Sequence, residues 1–223
     1  MPTFPVRSIA RYAQGGAIHY GRIEDGELIR LSAAPWSGGV ETGERDRFDQ
    51  VRLLAPSVPT KVVCVGLNYG AHIAESQSMV PGAAARSEPM LFLKPPSAVI
   101  GIGEAIRYPA GVTRLDPEGE LAVVIGRRAR AVPREHALEY VAGFTCFNDV
   151  SARNYQKSDG QWARAKGFDT FAPLGPWIVP GLDPGSLALE CRVNGAVRQR
   201  ATTRDLLFTV DTLIAHISAI MTL

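Results

Sequence analysis

The chain has 223 residues, with 24 Lys and Arg against 22 Asp and Glu, a net charge of +2 and 46% hydrophobic residues. That length holds one sizeable domain or a catalytic domain with a small appendage, and balanced charge without a dense basic block argues against nucleic-acid or membrane-surface binding. No stretch reads as a signal peptide or a membrane span, and Cys64, Cys146 and Cys191 are too scattered for a disulfide framework, so a soluble cytoplasmic protein with reduced, buried thiols is expected.

Residues 8–32 read as short strands divided by turn signals: Gly15-Gly16 separates two of them, and Glu24-Asp25-Gly26 marks a hairpin before a strand at 27–31. Residues 34–46, rich in Pro, Gly and charge, predict a surface loop. A boundary near residue 60 then separates a small N-terminal β domain (1–60) from a larger catalytic unit (61–223). Within that unit, strands are predicted at 61–66, 90–94, 98–102, 118–126, 141–147 and 187–193, the last closed by an Asn194-Gly195 turn. Helical spacing is clearest over 205–221, where Leu206, Leu207, Val210, Leu213, Ile214, Ile217, Ile220 and Met221 recur three and four apart behind a Thr202 or Thr203 cap. A shorter helix is predicted at 69–77. Strands do not alternate regularly with helices, and Gly101-Ile102-Gly103 lacks the remaining glycine of a dinucleotide fingerprint. The fold class is therefore α+β and β-rich, not a doubly wound nucleotide-binding sheet.

The chemistry concentrates in Asp116-Pro117-Glu118-Gly119-Glu120, followed by an apolar run and then by Asn148-Asp149. Side chains two apart on a strand share a face, so Glu118 and Glu120 converge, and oxygen-only ligation favours magnesium, manganese or calcium over zinc. Taken alone, the pair equally fits a solvated strand end. His72 and Glu75 stand three apart, which on a helix makes either a water-activating dyad or a surface pair. His19, His136 and His216 have no comparable carboxylate setting and read as structural. Asp149 is placed to complete a metal shell and Arg153 to clamp a substrate carboxylate, against the plainer reading of an N-cap and a surface arginine. Lys166 lies among aromatic and small residues that would desolvate it beside an anion, although a lone lysine is ordinarily solvated.

These pieces form one set. Cys64-Val-Gly-Leu-Asn-Tyr69, His72, Glu75, Phe92-Leu-Lys-Pro-Pro-Ser97, the run from Asp116 to Gly126, Asn148-Asp-Val-Ser-Ala-Arg153, Gln161-Trp-Ala-Arg-Ala-Lys166 and Phe171-Ala-Pro-Leu-Gly-Pro176 resemble the fumarylacetoacetate hydrolase family in order and spacing. The likeness runs from about residue 61 to the end, and the N-terminal part resembles the small β domain of bacterial members described as 2-hydroxyhepta-2,4-diene-1,7-dioate isomerases. The resemblance implies a mixed β-roll catalytic domain, paired as a homodimer, with magnesium or manganese (calcium as a substitute) held by Glu118, Glu120 and Asp149. It gives catalytic roles to His72, Glu75 and Lys166 and substrate-facing roles to Arg153, Gln156 and Lys94. It further implies a 2-oxo acid substrate handled through a metal-stabilised enolate in aromatic catabolism. The reaction would be carbon–carbon hydrolysis of the acylpyruvate or fumarylacetoacetate type or isomerisation or decarboxylation of a hydroxydienedioate, with oxaloacetate decarboxylation or tautomerisation as the alternative.

Two departures stand out. Asn154 falls where the family commonly has aspartate, which would loosen the support of Arg153. The sequence given also stops at Met221-Thr222-Leu223, where members continue through a Pro-Gly-Asp turn into a Thr-Gly-Thr segment lining the pocket; the expectation is a catalytic domain without that C-terminal segment, and a genuine stop there would put activity in doubt. From other classes, a metal-independent β-sandwich glycosidase would also use paired acids, though 8% aromatic residues offer few sugar-stacking platforms, and a non-catalytic metal-stabilised protein is the third reading.

Overall fold

A computed structural model describes residues 7–70 and 87–223. The first strands are β1 (Ile9–Gln14), β2 (Ala17–Glu24), β3 (Glu27–Leu31), β4 (Glu41–Arg47) and β5 (Arg52–Leu53). Then come β6 (Val62–Gly66), β7 (Met90–Lys94), β8 (Val99–Ile100), β9 (Leu115–Asp116), β10 (Gly119–Ile125), β11 (Val141–Asn148) and β12 (Ser151–Ala152). Two short helices, α1 (Arg153–Ser158) and α2 (Ala163–Gly167), precede β13 (Ala172–Val179), the hairpin β14 (Ala188–Val193) and β15 (Ala196–Thr202), and the helix α3 (Val210–Ile220).

Nine strands make one sheet, in the order β10-β11-β13-β1-β2-β3-β4 with β5 on β1 and β8 on β13. The pairs β6-β7, β9-β12 and β14-β15 form separate ribbons. Only the β8-β13 pairing is parallel, so the sheet is mixed, within the β-rich α+β class that the sequence predicts. The sheet crosses residue 60 without a break. Ile9 pairs with Ile178, and the buried side chains of Ile9, Leu31 and Ile178 pack as one cluster joining the N-terminal strands to the rest. On the other flank α3 seats Val210 and Ile214 against Phe144 and Val132. Val210, Ile214 and Ile217 follow the three- and four-residue spacing of the sequence, which turns one face of the helix inward.

Several elements differ from expectation for identifiable reasons. Residues 41–47 are a strand, not a loop; the side chains of Glu41 to Arg45 are exposed, so no apolar alternation marks it, yet its ladder to β3 and the ion pairs Arg45–Glu27, Arg22–Glu41 and Arg30–Glu44 hold it. No strand is expected at 172–179, where Pro173, Gly175 and Pro176 interrupt the pattern, but β13 lies inside the sheet between β11 and β1. Only Val99–Ile100 of the strand expected at 98–102 is extended, after a 3-10 turn at Pro96–Ala98. The last helix begins at Val210 because residues 206–208 are held against Asn68 and Tyr69: Tyr69 bridges Leu206, Leu207 N–H donates to the Asn68 carbonyl (2.9 Å), and the Asn68 amide both accepts from Phe208 N–H (2.8 Å) and donates to its carbonyl (3.0 Å). Thr202 caps only a short 3-10 turn at Thr203–Asp205. The helix expected at 69–77 lies mostly outside the described residues. The thiols are free, but Cys146 is exposed and Cys64 and Cys191 are half-buried, because Cys146 points away from the packed face of β11. His136 does have a carboxylate neighbour: its Nδ1 lies 2.8 Å from Glu139 Oε1 in an exposed pair three residues apart.

The N-terminal strands enclose a polar knot of their own. Asp46 is buried and accepts from Tyr12 Oη (2.5 Å) and from Arg30 Nε (3.0 Å) and Nη2 (2.8 Å). Burial and the Asp46 carboxylate both push the Tyr12 phenol well above its ordinary range, so it remains a donor. Breaking one member of a buried charged network strands the others. Asp46→Asn should therefore destabilise the fold by about 2–4 kcal/mol in urea unfolding, whereas Asp49→Asn, at an exposed pair with Arg47, should leave the unfolding midpoint where it is; equal effects would contradict this account.

Candidate active site

β10 is an edge strand, and its first residues carry the acidic motif. Gly119 stands opposite Asn148 in the β10-β11 register, Asp149 N–H donates to the Glu118 carbonyl (2.8 Å), and Glu118 N–H donates to Asn148 Oδ1 (2.9 Å). These contacts pin the start of β10 to the end of β11. Strand alternation sends Glu118 and Glu120 to one side, and both line, with Asp149, a cavity of about 1280 Å³.

Two lysines offset the charge. Lys166 Nζ donates to Glu118 Oε2 (2.6 Å) and Asp149 Oδ2 (2.5 Å), and Lys94 Nζ donates to Asp149 Oδ1 (2.5 Å) and the Val150 carbonyl (3.2 Å). Both lysines are buried, and the Lys166 ammonium faces Phe92 (5.1 Å to the ring centroid) and Trp162 (5.7 Å), which supply the desolvating walls expected of it. Burial opposes the Lys166 charge, but Glu118 and Asp149 outweigh it and hold its pKa above the ordinary value; for Lys94 burial wins over Asp149 and lowers it. Glu120 is the acid left over. Burial, then the charges of Glu118 and Asp149, push its carboxyl up to about 8, so it carries a proton at neutral pH. Burial also raises the Cys64 thiol in the cavity wall, and it pushes the Tyr69 phenol up to about 12.

Arg153, expected to face the substrate, lines the cavity with its guanidinium bonded to protein groups. Its Nε bonds Asp116 Oδ2 (2.8 Å), its Nη1 bonds Gln156 Oε1 (2.8 Å) and its Nη2 pairs with Glu118 Oε1 (2.5 Å), so the fork is engaged by the protein and orients Glu118. Burial opposes its charge, and Glu118 and Asp116 more than restore it. Gln156 is buried against Arg153, and Lys94 stands behind Asp149, not facing the cavity, because its ammonium is taken up by Asp149 and Val150. Asn154 does not bear on Arg153: its amide donates to the Gly111 carbonyl (3.1 Å) and accepts from Thr113 N–H (3.2 Å), and Asp116 supports the guanidinium instead. His72 and Glu75 lie outside the described residues. Two contributors carry no local sequence signal of their role. Asp116 is visible only as part of the acidic motif, and Gln199 approaches Gly119 from 80 residues away.

The donor set suits a hard cation. Glu118, Glu120 and Asp149 line one cavity, where Glu118 and Asp149 both direct oxygens at a cation, the Lys166 ammonium, and burial raises the Glu120 carboxyl. Among the described residues no three such side chains form a ready-made ligand cage, in keeping with the Lys166 ammonium lying between two of them.

A mixed, β-rich sheet whose edge strand delivers two carboxylates to a third inside a deep cavity defines a protein built around a charge-compensated acidic centre. The chain belongs to the fumarylacetoacetate hydrolase family, whose members are hydrolases and isomerases: the family model described as Fumarylacetoacetate (FAA) hydrolase C-terminal matches residues 61–223, and that described as Rv2993c-like, N-terminal matches residues 8–56. A 2-hydroxyhepta-2,4-diene-1,7-dioate isomerase from Mycobacterium marinum is 41% identical with a TM-score of 0.87, covering 97% of this chain and 83% of that one. A maleylpyruvate hydrolase from Sphingobium sp. SYK-6, solved in complex with manganese(II) ion and pyruvate, is 29% identical with a TM-score of 0.75, covering 97% and 84%. The mitochondrial oxaloacetate tautomerase Fahd2a of Rattus norvegicus is 42% identical over 179 residues, which are 78% of this chain and 56% of that protein.

Removing one of the two lysines on Asp149 weakens the buried network but leaves Lys166 against it, so the loss falls below the roughly 3–5 kcal/mol of a fully broken buried pair. Lys94→Met, which keeps the volume, should lower stability to urea by about 1–3 kcal/mol, and a variant as stable as the wild type would show that Asp149 does not depend on it.

Proposed function

We propose that the chain is a divalent-metal-dependent enzyme acting on 2-oxo acids at the enolate level. Carbon–carbon hydrolysis of acylpyruvates and isomerisation of hydroxydienedioates are the leading reactions, and tautomerisation or decarboxylation of oxaloacetate is the alternative. The observation that carries this reading is that Glu118, Glu120 and Asp149 line one cavity together. Magnesium or manganese held by those three carboxylates would supply Lewis-acid polarisation of a carbonyl oxygen beside a carboxylate.

The chain's own groups divide the remaining work. Lys166 stays protonated between Glu118 and Asp149 and offers a fixed positive charge to the oxygen on which an enolate develops, inside walls of Phe92 and Trp162 that exclude water and strengthen the interaction. Arg153 holds Glu118 in place through a fork braced by Asp116 and Gln156. Lys94 fixes Asp149 from behind. His72 and Glu75 take the role of a dyad that activates water or moves a proton. Support for 2-oxo acid chemistry comes from relatives named for it: the hydrolase solved with manganese and pyruvate, the dienedioate isomerase and the oxaloacetate tautomerase. The glycosidase alternative loses ground because Glu118 is spent on Lys166 and Arg153, which leaves it neither a free nucleophile nor an acid.

The test is a panel of acylpyruvates, oxaloacetate and hydroxydienedioates assayed with added magnesium or manganese, following enol absorbance and identifying products. Turnover should require metal and stop with chelator. Glu120→Ala should abolish both metal retention and turnover; full activity in that variant would remove the proposed site.

A further inference from the structure

The hairpin β14-β15 has no role in the mechanism above, yet one of its side chains reaches the acidic motif. Among the described residues β10 pairs with β11 on one side only, as an edge strand, and alternate backbone groups face outward. Glu118 uses its N–H and carbonyl toward Asn148 and Asp149, so those of Gly119 point to the open side. There the Gln199 carboxamide meets both: Gly119 N–H donates to Gln199 Oε1 (2.8 Å) and Gln199 Nε2 donates to the Gly119 carbonyl (2.8 Å). One side chain thus replaces a missing strand at the residue between the two acids. The glycine lets the hairpin come this close, since a Cβ there would lie 3.2 Å from Cys191 Cβ and 3.5 Å from Gln199 Oε1.

We propose that Gln199 is a positioning residue that, by clamping both backbone groups of Gly119, sets the directions in which Glu118 and Glu120 present their carboxylates to a cation. This rests on the reading of those carboxylates as metal ligands. A carboxylate pair carried on a free strand end would sample many separations, whereas a peptide pinned on both edges holds one. Gln199 also lines the cavity, and the role assigned to it here is exerted through its two hydrogen bonds to Gly119.

The test titrates the full chain with manganese alone, calorimetrically, in three forms. These are the wild type, Gln199→Met, which keeps the volume without either hydrogen bond, and Glu190→Gln, which breaks the exposed Arg192 and Arg200 pairs of the same hairpin. Gln199→Met should bind manganese about 10- to 100-fold more weakly and lose hydrogen-exchange protection at the Gly119 amide, while Glu190→Gln binds like the wild type. Equal affinity of Gln199→Met and wild type overturns the assignment, and so does equal weakening in Glu190→Gln, which would reflect a generally loosened hairpin. A wild type that does not bind manganese overturns the metal reading itself and this assignment with it, so the wild-type titration separates the two failures. If Gln199→Met does not fold, Gln199→Glu, which keeps an acceptor for Gly119 N–H but no donor for its carbonyl, is judged by the same criteria.

Discussion

The site depends on the Lys166 ammonium standing between Glu118 and Asp149. Two carboxylates cannot be buried side by side without a counter-charge, and the attraction inside a dry cavity is several times stronger than in water. Four cations (Lys94, Arg114, Arg153 and Lys166) engage three of the carboxylates (Asp116, Glu118 and Asp149), while burial and the neighbouring Glu118 and Asp149 charges push the carboxyl of the fourth acid, Glu120, up to about 8.

The backbone supports this arrangement at two removes. The β10-β11 ladder brings the acids together, and the short helices α1 and α2 that follow β12 carry Arg153, Gln156 and Lys166 back toward them. Strand ends of this kind are where rigid scaffolds commonly present functional groups. The loop around Asn154 is fastened separately to residues 111–113, which steadies α1 without touching the cavity.

Much of this was legible in the sequence, and what was not has a common cause. The hairpin turns at Gly15-Gly16, Asp25-Gly26 and Asn194-Gly195 announce themselves locally, because positive φ at those residues favours glycine and asparagine. The two-residue spacing of Glu118 and Glu120 likewise specifies a shared face. By contrast β4 is polar throughout and exists because β3 offers it a ladder, β13 overrides two prolines, and the start of α3 is decided by Asn68, some 140 residues away in sequence. The roles of Arg153, Lys94 and Asn154 follow the same rule: residue type suggested the chemistry, while the partner that each one meets was set by tertiary structure alone.

The continuity of the large sheet bears on how the molecule can be divided. Family models separate the chain between residues 56 and 61, but β1 lies in the sheet interior, hydrogen-bonded to both β13 and β2. Trimming the first sixty residues would bare a flank of β13 and remove Ile9 and Leu31, the two buried partners of Ile178, along with Tyr20 and Trp36, leaving a raw edge of the sort that invites strand-to-strand aggregation. The N-terminal segment is thus the selvedge of the catalytic fabric: it can be recognised as a separate piece of sequence without being separable as a piece of folded matter.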